Sequence, residues 1–148
     1  MGFDFDVDSL DLEVRLAFAN QLHAVSAKIH RAADLGAIML DLACDMCALF
    51  DCDRMTLYAR GKDGASIYSK IKTGIASSKD LILPINGMSI AGYVAMSRRS
   101  VCIADAYDSA QLHAIAPELT FCPKVDQITG YRTVQMMAAP ILACSSGD

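Results

Sequence analysis

Leu10, Val14, Phe18, Leu22, Val25 and Ile29 recur three and four positions apart, with Arg15, Gln21, His23 and Lys28 among the positions between them. That spacing predicts an amphipathic helix over residues 9–32. Asp8 or Ser9 is placed to cap it, and Asp11 and Glu13 set negative charge against the partial positive charge of its first turn. Asp34 opens a second predicted helix that runs to about Phe50. Leu35, Ile38, Met39, Leu42, Met46 and Leu49 form one stripe of it, and Ala37, Leu40, Cys44, Cys47 and Ala48 make much of the remainder apolar. A helix with so little polar surface is expected to be buried on both sides.

Beyond Phe50 the period shortens from about four to two. Residues 54–60 and 66–73 read as a hairpin around Gly61-Lys-Asp-Gly64. Alternation puts Met55, Leu57 and Ala59 on one face with Ile67, Ser69 and Ile71, and Thr56, Tyr58 and Arg60 on the other with Tyr68, Lys70 and Lys72. Residues 81–85 form a short strand whose Pro84 cannot donate to a ladder and so suits an edge or a bulge. Ser89 caps a small-residue helix from Ile90 to about Ser97, and residues 101–104 make a fourth strand. Asp108 caps a short helix through about His113, and residues 114–130 read as a long loop, a length that usually has a purpose. In the fifth strand, residues 133–143, both parities are mostly apolar, which predicts a central strand covered on both faces.

Composition narrows the function. With 148 residues, 53% of them hydrophobic and 20% charged, the chain is one domain's length, and disorder is excluded. A formal net charge of -4 offers no general attraction for a phosphate backbone, so no nucleic-acid partner is expected. No apolar run approaches a membrane span, and the acidic start Met1-Gly-Phe-Asp-Phe-Asp6 is unlike a signal peptide. With six cysteines, this favours a cytoplasmic protein carrying reduced thiols and no membrane partner.

Candidate chemistry is sparse. Gly61-Lys62 is followed by Asp63, and position 56 is Thr, so the phosphate-cradling loop of nucleotide hydrolases is missing. Cys44-Asp-Met-Cys47 with Cys52 nearby suggests a thiol-based redox or metal sensor. Inside a helix, however, the motif lacks the N-terminal dipole that lowers a thiol pKa, and a buried helical cysteine behaves as a small hydrophobe. His23, His30 and His113 show no ligand spacing. No catalytic or metal-binding residue is assigned, and the cofactor is left unknown.

Four segments carry a family resemblance. They are Ile82-Leu-Pro-Ile-Asn-Gly-Met-Ser-Ile-Ala-Gly-Tyr-Val-Ala95, Val101-Cys-Ile-Ala-Asp-Ala-Tyr107, Thr129-Gly-Tyr-Arg-Thr133 and Ala138-Ala-Pro-Ile141. In this order they resemble the GAF domain family, a sensory and dimerisation module, over roughly residues 20 to 143. Ile-Lys-Thr-Gly74, Pro-Ile-Asn86 and Ile-Ala-Asp-Ala-Tyr-Asp108 are most similar to GAF domains found ahead of bacterial secretion and pilus-assembly ATPases. The resemblance implies an α+β fold: an antiparallel five- to six-stranded sheet with long helices on one face, and short helices plus a loop lid on the other. It implies residues 1–8 as a tail and 9–148 as one domain lacking the family's last strand and helix, with truncation favoured as the reason.

Two family chemistries are disfavoured by departures, and a third is not indicated. Ala91 stands where methionine-sulfoxide-reducing relatives carry a cysteine, and no thiol adjoins His113 as in covalent bilin sensors. Of the cyclic-nucleotide signature only Phe121, Lys124 and Asp126 remain. The resemblance therefore implies a non-enzymatic sensor. It would bind a small, polar, nucleotide-like molecule, form a homodimer through the N-terminal helix, and act on an effector absent from this chain. The expected ligand site lies between the polar sheet face and the lid. Thr56, Tyr58, Tyr68, Lys70, Thr133 and Gln135 would face Ile90, Ala91, Val94, Asp105, Tyr107 and Phe121. Two alternatives stand beside it: a structural dimerisation module with a self-filled pocket, and packing of the first helix on its own domain rather than on a second subunit.

Overall fold

Asp11 precedes the first helix, α1 (Leu12–Arg31), and Glu13 lies in its first turn, with Lys28, His30 and Arg31 in its last. Both charge groups oppose the helix dipole's sign at their own end. The computed structural model describes residues 11–33, 35–72 and 81–142. The expected caps Asp8, Ser9 and Asp34 and the 1–8 tail lie outside those residues, as do residues 143–148, the end of the expected fifth strand among them. Contacts divide the chain into two compact units, one of residues 1–58 and 69–77, the other of residues 59–68 and 78–148.

In the first unit α1 packs on α2 (Leu35–Phe50). Val25 is buried, Phe18 meets Phe50 edge to face with centroids 6.5 Å apart, and Lys28 Nζ pairs with Asp45 Oδ2 at 2.7 Å. The ion pair is more than a third exposed at both ends, so solvent screens most of its attraction. The apolar rings hold the pair more than the charges do. The expectation that α2 is buried all round is not met: Ala43 and Leu49 are buried, but Asp41, Cys44, Ala48 and Phe50 are exposed. α1 covers one stripe of α2, and these four positions stay open to solvent.

The C-terminus of α2 closes with a left-handed residue. Asp51 has φ 49°, its N–H reaches Ala48 O at 3.4 Å, and Cys52 N–H reaches Cys47 O at 3.0 Å. This pairing satisfies carbonyls that the helix end leaves open.

β1 (Thr56–Arg60), β2 (Ser66–Lys72) and β3 (Ile82–Pro84) form a three-stranded sheet in that order. β2 and β3 run antiparallel, with Ile67 opposite Leu83. The predicted alternation holds in β2, where Ile67 and Ser69 are buried, Tyr68 is half-buried and Lys70 is exposed, but not in β1, where Thr56, Leu57, Tyr58 and Ala59 are all half-buried. In the hairpin turn Gly64 adopts φ 69°, and Asp63 Oδ1 accepts Ala65 N–H and Ser66 N–H, each at 3.1 Å. Only a residue without a Cβ takes that φ without strain.

The core of the second unit comprises Ile90 and Val94 of α3 (Ile90–Ser97), Val101 and Ile103 of β4 (Val101–Ile103), Leu112 of α4 (Ser109–Ile115), and Leu119. Each such burial contributes about 1.5–3 kcal/mol. The expected caps are made. Ser89 Oγ accepts Gly92 N–H at 3.1 Å, and Asp108 Oδ1 accepts the N–H groups of Ala110 and Gln111 at 2.9 and 3.3 Å. Pro123 and Gly130 bracket α5 (Lys124–Thr129), so the segment read as a loop to residue 130 contains a helix.

The single five- to six-stranded sheet is overturned. Among the described residues there are five helices and two small sheets, the second made of β4 paired antiparallel with β5 (Met136–Ala138). No one sheet is there for long helices and a lid to cover on opposite faces. The reason lies just before β5. Thr133 N–H is drawn to Asp126 and Val134 O accepts Ala106 N–H at 2.8 Å, so the backbone at the start of the expected strand is taken before pairing with β4 begins at Met136. Nor is β5 covered on both faces: Val134 is 46% and Met137 61% exposed. Its apolar parities reflect side chains in solvent rather than a second covering layer.

Candidate site around Asp126

Asp126 is 6% exposed and sits inside the six-residue α5. Its carboxylate is held by hydrogen bonds from beyond its own helix. Tyr107 Oη donates to Oδ2 at 2.8 Å, Thr133 N–H donates to the same oxygen at 2.7 Å, and Thr133 Oγ1 donates to Oδ1 at 2.8 Å. A buried carboxylate needs such donors, because removing it from water without them is costly. Gly130 supports the arrangement. Its φ of 69° ends α5, and its N–H bonds Asp126 O at 2.8 Å, which turns the chain back so that Thr133 reaches the carboxylate.

Tyr107 is fixed on both sides. Its ring meets Phe121 edge to face with centroids 5.1 Å apart, and the Arg132 guanidinium carbon lies 4.4 Å from the ring centroid. Such a stack contributes about 0.5–1 kcal/mol at an exposed site. Arg132 Nη2 also donates to Asp105 Oδ2 at 3.3 Å, a long pair with side chains 60% and 42% exposed. Asp105 in turn accepts Tyr107 N–H at 3.0 Å, and Gln111 Oε1 accepts the N–H groups of Ala104 and Asp105 at 2.8 and 3.2 Å. The segment after β4 is thereby tied to α4. The hydrogen bond to Asp126, more than burial, pushes the Tyr107 phenol up from its ordinary pKa. It stays protonated and donating at neutral pH.

Of the twelve residues expected at a ligand site, Asp105, Tyr107, Phe121 and Thr133 come together here. Ile90 and Val94 are buried in the core of their unit, Ala91 is half-buried, and Gln135 is exposed. Thr56, Tyr58 and Lys70 belong to the first unit and Tyr68 to the second. Burial pushes the Tyr58 phenol up. Asp126, Arg132 and Gln111 were not among the expected residues, although Arg132 stands within a motif that carried the resemblance and Asp126 among the residues left of the cyclic-nucleotide signature. Among the described residues no group of three His, Cys, Asp or Glu side chains is placed to hold a metal, and no helix is long and apolar enough to cross a membrane.

No protein-family model and no curated protein matches the chain.

Proposed function

We propose that this chain is a non-catalytic sensory module of the GAF type. It binds a small, planar, anionic molecule beside Tyr107, Phe121 and Arg132, and it passes the signal through a homodimer to an effector outside the chain. The observation that carries the reading is the placement of Arg132. Its guanidinium lies over an aromatic ring, is well exposed, and is held to Asp105 only by long contacts. A ligand anion competes readily with an exposed carboxylate at such distances, and the rings of Tyr107 and Phe121 supply apolar walls beside it. Behind them the Asp126 network keeps the aromatic ring in one orientation, so the site is organised before ligand arrives.

The element order also supports the reading. Two helices, a hairpin, a short strand, a capped small-residue helix, a strand, short helices and a last strand follow one another as the motifs imply. The homodimer rests on the surface of α1, where Leu12, Val14, Leu16, Phe18, Leu22 and Ile29 are all exposed. A stripe of that size on one helix commonly marks an interface.

A thermal-shift screen of nucleotides, cyclic dinucleotides and anionic metabolites, followed by calorimetry on hits, tests the site. Arg132→Ala is expected to weaken a specific hit by about tenfold or more, the loss of a charged hydrogen bond, with the circular dichroism spectrum unchanged. Undiminished binding in Arg132→Ala and Phe121→Ala, or no hit at all, would overturn the assignment.

A further inference from the structure

The hydrogen bond from Cys52 N–H to Cys47 O, 3.0 Å long, closes the end of α2 around the left-handed Asp51. This closure brings the side chains six positions along the motif, counted from the carbonyl residue to the donor, onto the same side of the helix end, where apolar pairs usually meet. Here both positions carry thiols. Cys52 is exposed, Cys47 is half-buried, and the Cys47 thiol is near enough to shift the Cys52 thiol. We propose that Cys47 and Cys52 form an intramolecular disulfide when the protein meets a hydroperoxide, a covalent staple across the C-cap of α2.

A disulfide requires Cβ atoms about 3.8 Å apart, and the closed helix end sets the two cysteines on one side of the chain for that approach. The Cys52 thiolate attacks the peroxide: an S–O bond forms, the O–O bond breaks, and hydroxide leaves to become water on protonation. The sulfur is now a sulfenic acid, oxidised by two electrons. The Cys47 thiolate then attacks that sulfur, the S–S bond forms, the S–O bond breaks, and a second water leaves. In sum, two thiols and one hydrogen peroxide give one disulfide and two waters. Burial, then the contact with Cys47, pushes the Cys52 thiol up, so Cys52 rests protonated and reacts through a small thiolate fraction. That makes it a slow recorder of oxidant rather than a catalytic thiol.

This proposal does not depend on the ligand site. Cys44 is exposed nearby and offers a competing partner, as do the exposed Cys102 and Cys122, so the test must resolve which sulfurs join. The reduced full chain is exposed to hydrogen peroxide, alkylated under denaturing conditions and mapped by peptide mass spectrometry. The expected product is monomeric, lacks two hydrogens, and links the peptides of Cys47 and Cys52. Cys52→Ala removes one sulfur of the link, so that chain should keep both hydrogens and yield an alkylated Cys47 peptide. The Cys44→Ser/Cys102→Ser/Cys122→Ser/Cys144→Ser variant should form the Cys47–Cys52 link at the wild-type rate, and if it misfolds the wild-type map alone decides. A dominant link elsewhere or between chains, or oxidation of single cysteines without a link, would overturn it.

Discussion

Tyr107 and Asp126 lie 19 residues apart in sequence, and their side chains meet at 2.8 Å. The contact joins the segment after β4 to a helix that the hydropathy pattern does not announce. Because Oδ2 of the same carboxylate also accepts Thr133 N–H at 2.7 Å, one acidic group fastens three separate stretches of backbone.

Asp126→Ala should therefore destabilise the protein by about 2–3 kcal/mol, because Thr133 N–H loses its acceptor as well. Tyr107→Phe keeps the ring against Phe121 and Arg132 and removes one donor, so it should cost about 1 kcal/mol. Urea denaturation of both variants gives the comparison. A wild-type midpoint for Asp126→Ala would show that the network holds nothing together.

Stability should fall at both pH extremes for two separate reasons. The Tyr107 phenol is raised in the folded state by its bond to Asp126, so its contribution is complete below the ordinary tyrosine value near pH 10 and is lost as pH climbs through the folded value. Asp63 is lowered, first by the Ser66 hydroxyl and then by backbone N–H groups. Its contribution is complete above the ordinary aspartate value near pH 4 and is lost as pH falls through the folded value. Urea midpoints across pH should show the alkaline fall reduced in Tyr107→Phe and the acid fall reduced in Asp63→Asn. Superimposable profiles would dismiss both assignments.

Gly92→Ala should destabilise the second unit by about 1–3 kcal/mol through overpacking. A Cβ there would stand 2.5 Å from Pro84 O and 2.7 Å from Ser89 Oγ, so α3 has to lift from β3 and loosen its own cap. Thermal melting reads the change. An unaltered melting temperature would mean that the helix start yields freely.

Light scattering should find the wild type at twice the 15.9 kDa chain mass and Phe18→Glu at the monomer mass. Phe18 is 42% exposed against Phe50, so a charge there spoils an outer surface while still reaching water. A wild type that remains monomeric at high micromolar concentration ends the dimer proposal.

Local signals in the sequence were dependable where a single residue controls a single event. Ser89 and Asp108 cap their helices as read, and the alternation of Ile67, Tyr68, Ser69 and Lys70 gives the observed burial. The large sheet was not legible, because hydropathy shows that residues 133–143 are apolar without showing what they pair with. The Asp126 side chain, seven positions away, and the loop amide of Ala106 take the backbone of Thr133 and Val134 instead. α5 did leave a signal, Pro123 at its start and Gly130 at its end, a spacing that suits a short helix as well as a loop. Asp126 was hidden for another reason. An aspartate in a short polar helix looks solvated until the tertiary fold brings a tyrosine and a threonine onto it.

The pairing of β4 with β5 sets the order in which this molecule assembles. Val101 faces Ala138 across 37 positions of chain (138 − 101), and each strand is only three residues long. Closing so long a span costs entropy that two short strands cannot recover until Ile103, Leu112 and Leu119 have already gathered. α1 and α2, by contrast, are neighbours in sequence and meet early. A nascent chain therefore carries a formed helical pair while the edge of β4 is still waiting for its partner.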